Sequence, residues 1–305
     1  MNSKDIINRI QKKKQKLDTC RPLPKPVLGN LKQYFAIEWT YNSNAIEGNT
    51  LTLQETRLVL EEGITIKGKS LREHFETKNH EQAINYLETL LQNKKMLIAE
   101  KDILTLHSLI LSKIEEDFAG RYRNSGVRIV GANFVPPNAI KVPDMIKELV
   151  SWTNKNPEKL NIVSLVSKFH HKFVWIHPFF DGNGRTARLA MNLLLMKEGF
   201  PPAIILKNDR KKYYDSLNQA NNGNHEKLTL LIAQTIERSL DMYLESVSDS
   251  EDSKYISLGK LAKIYPYSQE YLSLLARTGK LDAYKLGRNW VSSKNSVEIY
   301  LKKIG

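Results

Sequence analysis

The chain has 305 residues, 41% of them hydrophobic and 26% charged, which is the composition of a soluble globular protein long enough for two domains. Its single cysteine, Cys20, excludes an internal disulfide and has no Cys or His neighbours at zinc spacing. No apolar stretch follows the polar first residues and none reaches the roughly eighteen residues of a membrane span, so a cytoplasmic protein without membrane contact is expected.

In chain order, Asp5 to Leu17 reads as a short polar helix, and Pro22, Pro24 and Pro26 as an extended arm. Lys12, Lys13, Lys14 and Lys16 read as a solvated helix face. Leu31 to Ile46 is helical, with Leu31, Tyr34, Phe35, Trp39 and Ile46 apolar, and Gly48 suits the left-handed position after it. Thr52-x-x-Glu55 and Ser70-x-x-Glu73 are capping boxes, opening helices that run to Gly63 and to about Gln92. Asp102 to Ile114 is a further helix; His74, His80 and His107 fall on these helices and read as structural.

Gly120 to Pro137 breaks the helical pattern. Val127, Ile129 and Val130 favour extended backbone between glycines, and Pro136-Pro137 ends any ladder, so a β-hairpin is expected. Pro143 opens a helix through Trp152, and Asn161 to Ile176 has apolar residues at helical spacing. After His177 to Gly184, Ala187, Ala190, Leu193, Leu194 and Met196 resume a helical stripe. Helices follow around Tyr213 to Asn221 and from Glu226 to Leu244, then a Ser/acid stretch from Ser246 to Ser253 with linker composition.

The segment His177-Pro-Phe-Phe-Asp-Gly-Asn-Gly-Arg-Thr-Ala-Arg188 is thus a tight loop feeding a helix N-terminus. Such a terminus offers unpaired N–H groups and a partial positive charge, and glycines let an anion approach the backbone closely. Arg185 and Arg188, at i,i+3 in the first turn, oppose the helix dipole and call for an anion. Asp181 fits once a divalent cation joins that anion, and His177 is the one group in the loop with a pKa suited to a general base near neutrality. Together these are parts for phosphate chemistry, although neither the Walker A motif nor the kinase glycine loop is present.

The same twelve residues resemble the Fic family signature at every position. The resemblance implies a mainly α Fic-type domain with a β-hairpin flap, and transfer of AMP from ATP to a hydroxyl of a target protein or of the chain itself, with release of pyrophosphate. It implies His177 as the base, Asp181 as the Mg²⁺ ligand, and Gly182, Asn183, Gly184, Arg185, Thr186, Ala187 and Arg188 around the phosphates. It further implies a flap over the loop formed by Val127, Arg128, Ile129 and Val130, and adenine and ribose contacts from Tyr213, Tyr214 and Asn221. Two alternatives stand beside it: a DNA-binding transcriptional regulator whose Fic domain only senses nucleotide, or, as in related Fic-like proteins, transfer of another phosphate-containing group. A homodimer is left open.

Glu47 is a second charge in an unfavourable place, a carboxylate at a helix C-terminus with Ser43 four residues before it. Pairing it with Arg188 satisfies both groups when ATP is absent. Ser43-Asn-Ala-Ile-Glu47-Gly48 also resembles the inhibitory motif of Fic proteins whose inhibitory helix precedes the catalytic domain, which implies autoinhibition.

Residues 254–305 carry ten Lys/Arg against three Asp/Glu, a local +7. Helices at Leu258 to Tyr265, Ser268 to Arg277 and Val297 to Lys302 and strands at Leu281 to Lys285 and Trp290 to Ser292 resemble a winged helix-turn-helix. That implies DNA binding through the Ser268 to Arg277 helix, with Arg288 on the wing. The expected organisation is a basic, Pro-rich arm (1–30), a Fic domain with its inhibitory helix (31–245), a linker (246–253) and a winged helix-turn-helix (254–305).

Overall fold

The computed structural model describes residues 3–93, 97–129, 131–132, 134–247, 254–286 and 289–304. Contacts divide the chain into two units, Gln33–Leu228 and Met1–Lys32 together with Thr229–Gly305. Val130, Arg288 and residues 248–253 of the expected linker lie outside the described residues.

The first unit takes in most of α2 (Lys25–Ile46), then α3 (Leu53–Glu61), α4 (Leu71–Leu91), α5 (Glu100–Leu111), α6 (Val142–Lys155), α7 (Ile162–Ile176), α8 (Asn183–Lys197) and α9 (Arg210–Asn221). Both capping boxes form, with Thr52 accepting from Glu55 N–H and Ser70 from Glu73 N–H. The expected extended arm stops at Pro24, because Pro26 is the second residue of α2, where a missing N–H costs no hydrogen bond. α8 is buried around most of its circumference and packs against α4, α5 and α7. A helix buried on nearly all sides belongs in a core, here with Asn183, Arg185 and Arg188 at its first turns, and it fixes the loop at its N-terminus.

The expected β-hairpin is not formed: among the described residues from Gly120 to Pro137 no strand pairing occurs. An isolated two-stranded ribbon is marginal by itself, and here other bonds hold the backbone. Arg123 N–H donates to Pro178 O at 2.9 Å, and its buried guanidinium reaches four further carbonyls.

The second unit holds α1 (Ser3–Thr19), most of α10 (Glu226–Ser246), β1 (Ile256–Ser257), α11 (Leu258–Leu261), α12 (Gln269–Arg277), β2 (Tyr284–Leu286), β3 (Asn289–Ser292) and α13 (Lys294–Ile304). The antiparallel sheet has the order β1-β3-β2, with Ser257 opposite Val291 and Lys285 opposite Trp290. Leu258, Leu261, Leu272, Leu275, Leu281 and Val297 form its apolar cluster. Ser268 caps α12, and α11 ends earlier than its sequence pattern suggests. α1 is amphipathic, burying Ile6, Ile10 and Leu17. Lys13 departs from the expected solvated face: its ammonium meets Asp241 at 2.5 Å, Glu237 at 3.2 Å and also Asp282, while Arg9 forms a two-pronged pair with Glu237. No helix among the described residues is long and apolar enough to cross a membrane.

Candidate active site

α7 ends at Ile176, and His177 closes it in the left-handed conformation (φ 50°, ψ 62°), its N–H donating to Phe173 O. A non-glycine residue rarely takes this conformation, so it is a point of strain beside the loop. Burial pushes the His177 imidazole down to about 4; the Val174 carbonyl opposes that shift and the Arg123 charge adds to it. The ring is neutral at pH 7.

The loop is closed by its own side chains. Asn183 Oδ1 accepts from Phe179 N–H at 2.9 Å and its Nδ2 donates to Phe179 O at 2.8 Å. The Asn183 amide group therefore clamps the turn. Gly182 has φ 74°, and a Cβ there would lie 3.3 Å from His107 Cδ2 and 3.4 Å from Ile110 Cγ2. His107 stacks on Phe179 with ring centroids 3.5 Å apart. Its Nδ1 accepts from Gly120 N–H, which leaves Nε2 to donate to Asp181 O at 3.0 Å. Thr186 and Ala187 are buried in the first turn of α8.

Asp181 Oδ1 accepts from Gly182 N–H at 2.6 Å, and Oδ2 lies 2.9 Å from Arg72 Nη2 and 3.4 Å from Arg185 Nη2. Burial alone would raise this carboxyl, but Arg185, the Gly182 N–H and Arg72 hold it below its ordinary value. It is an ionised carboxylate with 41% of its side chain exposed, as a single protein ligand for a cation requires. Among the described residues no group of three His, Cys, Asp or Glu converges on one point. The residues fit a cation held by one carboxylate and completed by a substrate, with Arg72 swung aside, and do not form an all-protein cage.

Arg185 and Arg188 are each 2% exposed. Arg185 Nη1 lies 3.2 Å from Glu76 Oε1, yet neither Nη1 nor Nε makes a hydrogen bond among the described residues. Arg188 Nε donates to Ser43 Oγ, and its Nη2 donates to Ser43 O and to Glu47 Oε1, both at 2.8 Å; Nη1 makes no hydrogen bond. Burial opposes the Arg188 charge, but Glu47 and the neighbouring Tyr213 and Tyr214 hydroxyls keep its pKa above the ordinary value. Glu47 also lies against the helix N-terminus itself: a Cβ on Gly184 would come within 2.1 Å of Glu47 Oε1. Its carboxylate occupies an anion position, held by Arg188 at the point where the helix dipole is positive.

The remaining expected residues divide. Tyr213 is 1% exposed and its hydroxyl meets His170 Nε2 at 2.8 Å, while Tyr214 points its hydroxyl to within 3.5 Å of Glu47 Oε2. Asn221 Oδ1 pairs with His171 Nε2. Val127 and Ile129 are half-buried and Arg128 is exposed. Arg72, Glu76, Arg123 and His170 touch the site residues without having been singled out from sequence, and His107, expected to be structural, supports the loop; only His170, on α7, is near the loop in sequence, and the others arrive from distant helices or turns.

A histidine at one helix end, a glycine turn and two buried arginines at the next helix start thus lie together at the N-terminus of α8. Residues 97–195 match the model of the Fic/DOC family. The chain is 38% identical over 245 residues to the protein adenylyltransferase Fic of Nematostella vectensis, and 41% identical over 214 residues to that of Aedes aegypti. These alignments cover 80% and 70% of this chain but 57% and 42% of the relatives, so the chain spans about half the length of the curated relatives it matches. A solved structure of Fic-1 (aa134–508) from C. elegans matches with a TM-score of 0.73 and 32% identity, over 80% of this chain and 72% of that one. The chain belongs to the Fic/DOC family.

Proposed function

We propose that the protein is an adenylyltransferase that moves AMP from ATP to a hydroxyl side chain of a target protein. The observation that carries this reading is the juxtaposition of a neutral His177 with the α8 N-terminus and the two arginines. The target hydroxyl gives its proton to the His177 imidazole as its oxygen bonds to the α-phosphorus, and the bond to pyrophosphate breaks. The backbone of Gly182 to Gly184 borders the phosphates, and Arg185 and Arg188 supply the unbonded N–H groups that face them. Asp181 would hold Mg²⁺, whose charge offsets that of the polyphosphate when bound. Tyr213, Tyr214 and Asn221 line the nucleoside end, and Val127, Arg128 and Ile129 lie on the segment that receives the target.

The resting protein is autoinhibited in this reading. Glu47 occupies Arg188, and the γ-phosphate gains its anchor only when that pair opens. The C-terminal module binds DNA as a winged helix-turn-helix, for which the helix–helix–wing order of α11, α12, β2 and β3 and the excess of basic residues are the support. Incubating the folded protein with ATP labelled in the α-phosphate tests the enzymatic reading. Label should enter protein and be lost in His177→Ala with nucleotide binding retained. A protein that binds nucleotide and DNA but labels nothing, even after Glu47→Gly, is a sensor instead.

A further inference from the structure

Arg123 is 2% exposed and forms no ion pair among the described residues. A charge so placed is costly unless its donors are all used, and burial alone pulls this guanidinium below its ordinary value. Its donors are spent on carbonyl oxygens of two segments. Nε donates to His177 O at 2.8 Å and Nη2 to Ile176 O at 3.4 Å, at the C-terminus of α7, where the dipole favours a cation. Nη1 donates to Ser125 O at 3.0 Å and Nη2 to Pro137 O, near the two ends of the segment that the resemblance reads as the flap.

The Arg123 backbone N–H takes Pro178 O. One residue therefore holds two consecutive carbonyls, those of His177 and Pro178, on either side of Pro178, the residue that follows the strained His177. Resting on the reading that His177 is the base, we propose that Arg123 is a positioning residue: it fixes the His177–Pro178 peptide, and with it the direction of the imidazole, and ties that histidine to the Ser125–Pro137 segment. The planar guanidinium suits this task because it presents several donors at fixed angles, whereas a lysine ammonium presents one point.

The test uses the full chain carrying Glu47→Gly, with Arg123→Met or Arg123→Lys added. Nucleotide affinity, read by titration with a fluorescent ATP analogue, should stay within about twofold, because Arg185 and Arg188 are untouched. The labelling rate at saturating ATP should fall by about thirtyfold or more in Arg123→Met, as expected when a reacting group is misplaced by about an ångström. Arg123→Lys should recover only part of that loss. A folded Arg123→Met protein that labels within about threefold of its parent overturns the proposal. So does a parallel loss of nucleotide affinity, which would mark a general structural role, or full rescue by lysine, which would mean that charge alone matters.

If the folded Glu47→Gly parent does not label, the functional reading fails by itself. The Arg123 assignment is then decided in the unmodified protein, as it is if the Arg123 variants do not fold. There the Arg123 Nε–H should exchange with solvent at least about a hundredfold more slowly than that of an exposed arginine, and exchange at the exposed rate overturns the assignment.

Discussion

Glu47 and Arg188, 141 residues apart in sequence, meet at 2.8 Å with the carboxylate resting on Gly184 at the start of α8. Arg188 is buried and Glu47 is about one-third exposed, so the pair is reached by solvent from one side only. Opening a pair of this kind costs on the order of a few kcal/mol. Glu47→Gly should therefore raise self-labelling by about tenfold or more, and adding Arg188→Ala should remove the gain. Equal labelling by the wild type and Glu47→Gly would show that this contact does not restrain labelling.

Gly182 is required by its backbone. Alanine there would have to hold φ near 74° and press against His107 and Ile110. A left-handed alanine costs about 1–2 kcal/mol, before any displacement of the His107 ring. Gly182→Ala should lower the urea midpoint without changing the slope, and should reduce labelling of the Glu47→Gly protein. An unchanged midpoint would contradict the packing described for the turn.

Buried histidines make stability depend on pH, His80 and His170 among them. Burial lowers His80 well below its ordinary value and His170 to about 3, in both cases with Arg188 adding to the effect. The unfolded chain takes up protons near 6.5, whereas the folded chain resists until much lower pH. For His170 the stability held above about pH 6.5 is thus lost progressively as pH falls towards 3, and His80 acts in the same direction. A histidine with this shift contributes a slope of about 1.4 kcal/mol per pH unit inside its window. Between pH 7 and 5 the midpoint of thermal unfolding should fall by on the order of ten degrees. A midpoint flat over that range would show that the rings are not buried as neutral species.

Binding of the full chain to duplex DNA should weaken steeply with salt if residues 254–305 neutralise phosphates. The slope of log K against log [salt] is about −0.9 per phosphate contacted. Arg277 is exposed at the end of α12, and Arg277→Glu should lower affinity at every salt concentration. Salt-independent binding, or none at low salt, would remove DNA as the partner of this module.

Much of the helical order was legible because its signals are local. Thr52 and Ser70 announce their helices through side chains that bond three residues on, and the alternation from Asn161 to Met196 marks α7 and α8. The loop from His177 to Arg188 was legible for the same reason, every part lying within twelve residues. The Glu47–Arg188 contact was legible from two misplaced charges, each at the wrong end of a helix. What escaped depends on distant partners. Val127, Ile129 and Val130 look like a strand, yet Arg123 spends its donors on loop carbonyls and no ladder forms among the described residues. Pro26 looks like a helix breaker until it is placed in a first turn. Lys13 looks solvated until Asp241 and Asp282, more than two hundred residues away, are brought to it.

Intact-mass analysis of the folded Glu47→Gly protein after incubation with ATP and Mg²⁺ tests the account at its centre. The expected result is an adduct with the mass of one AMP on a hydroxyl side chain, absent when His177→Ala is added although nucleotide still binds. An adduct of another phosphate-containing group, an AMP adduct that persists without His177, or no adduct at all would contradict it.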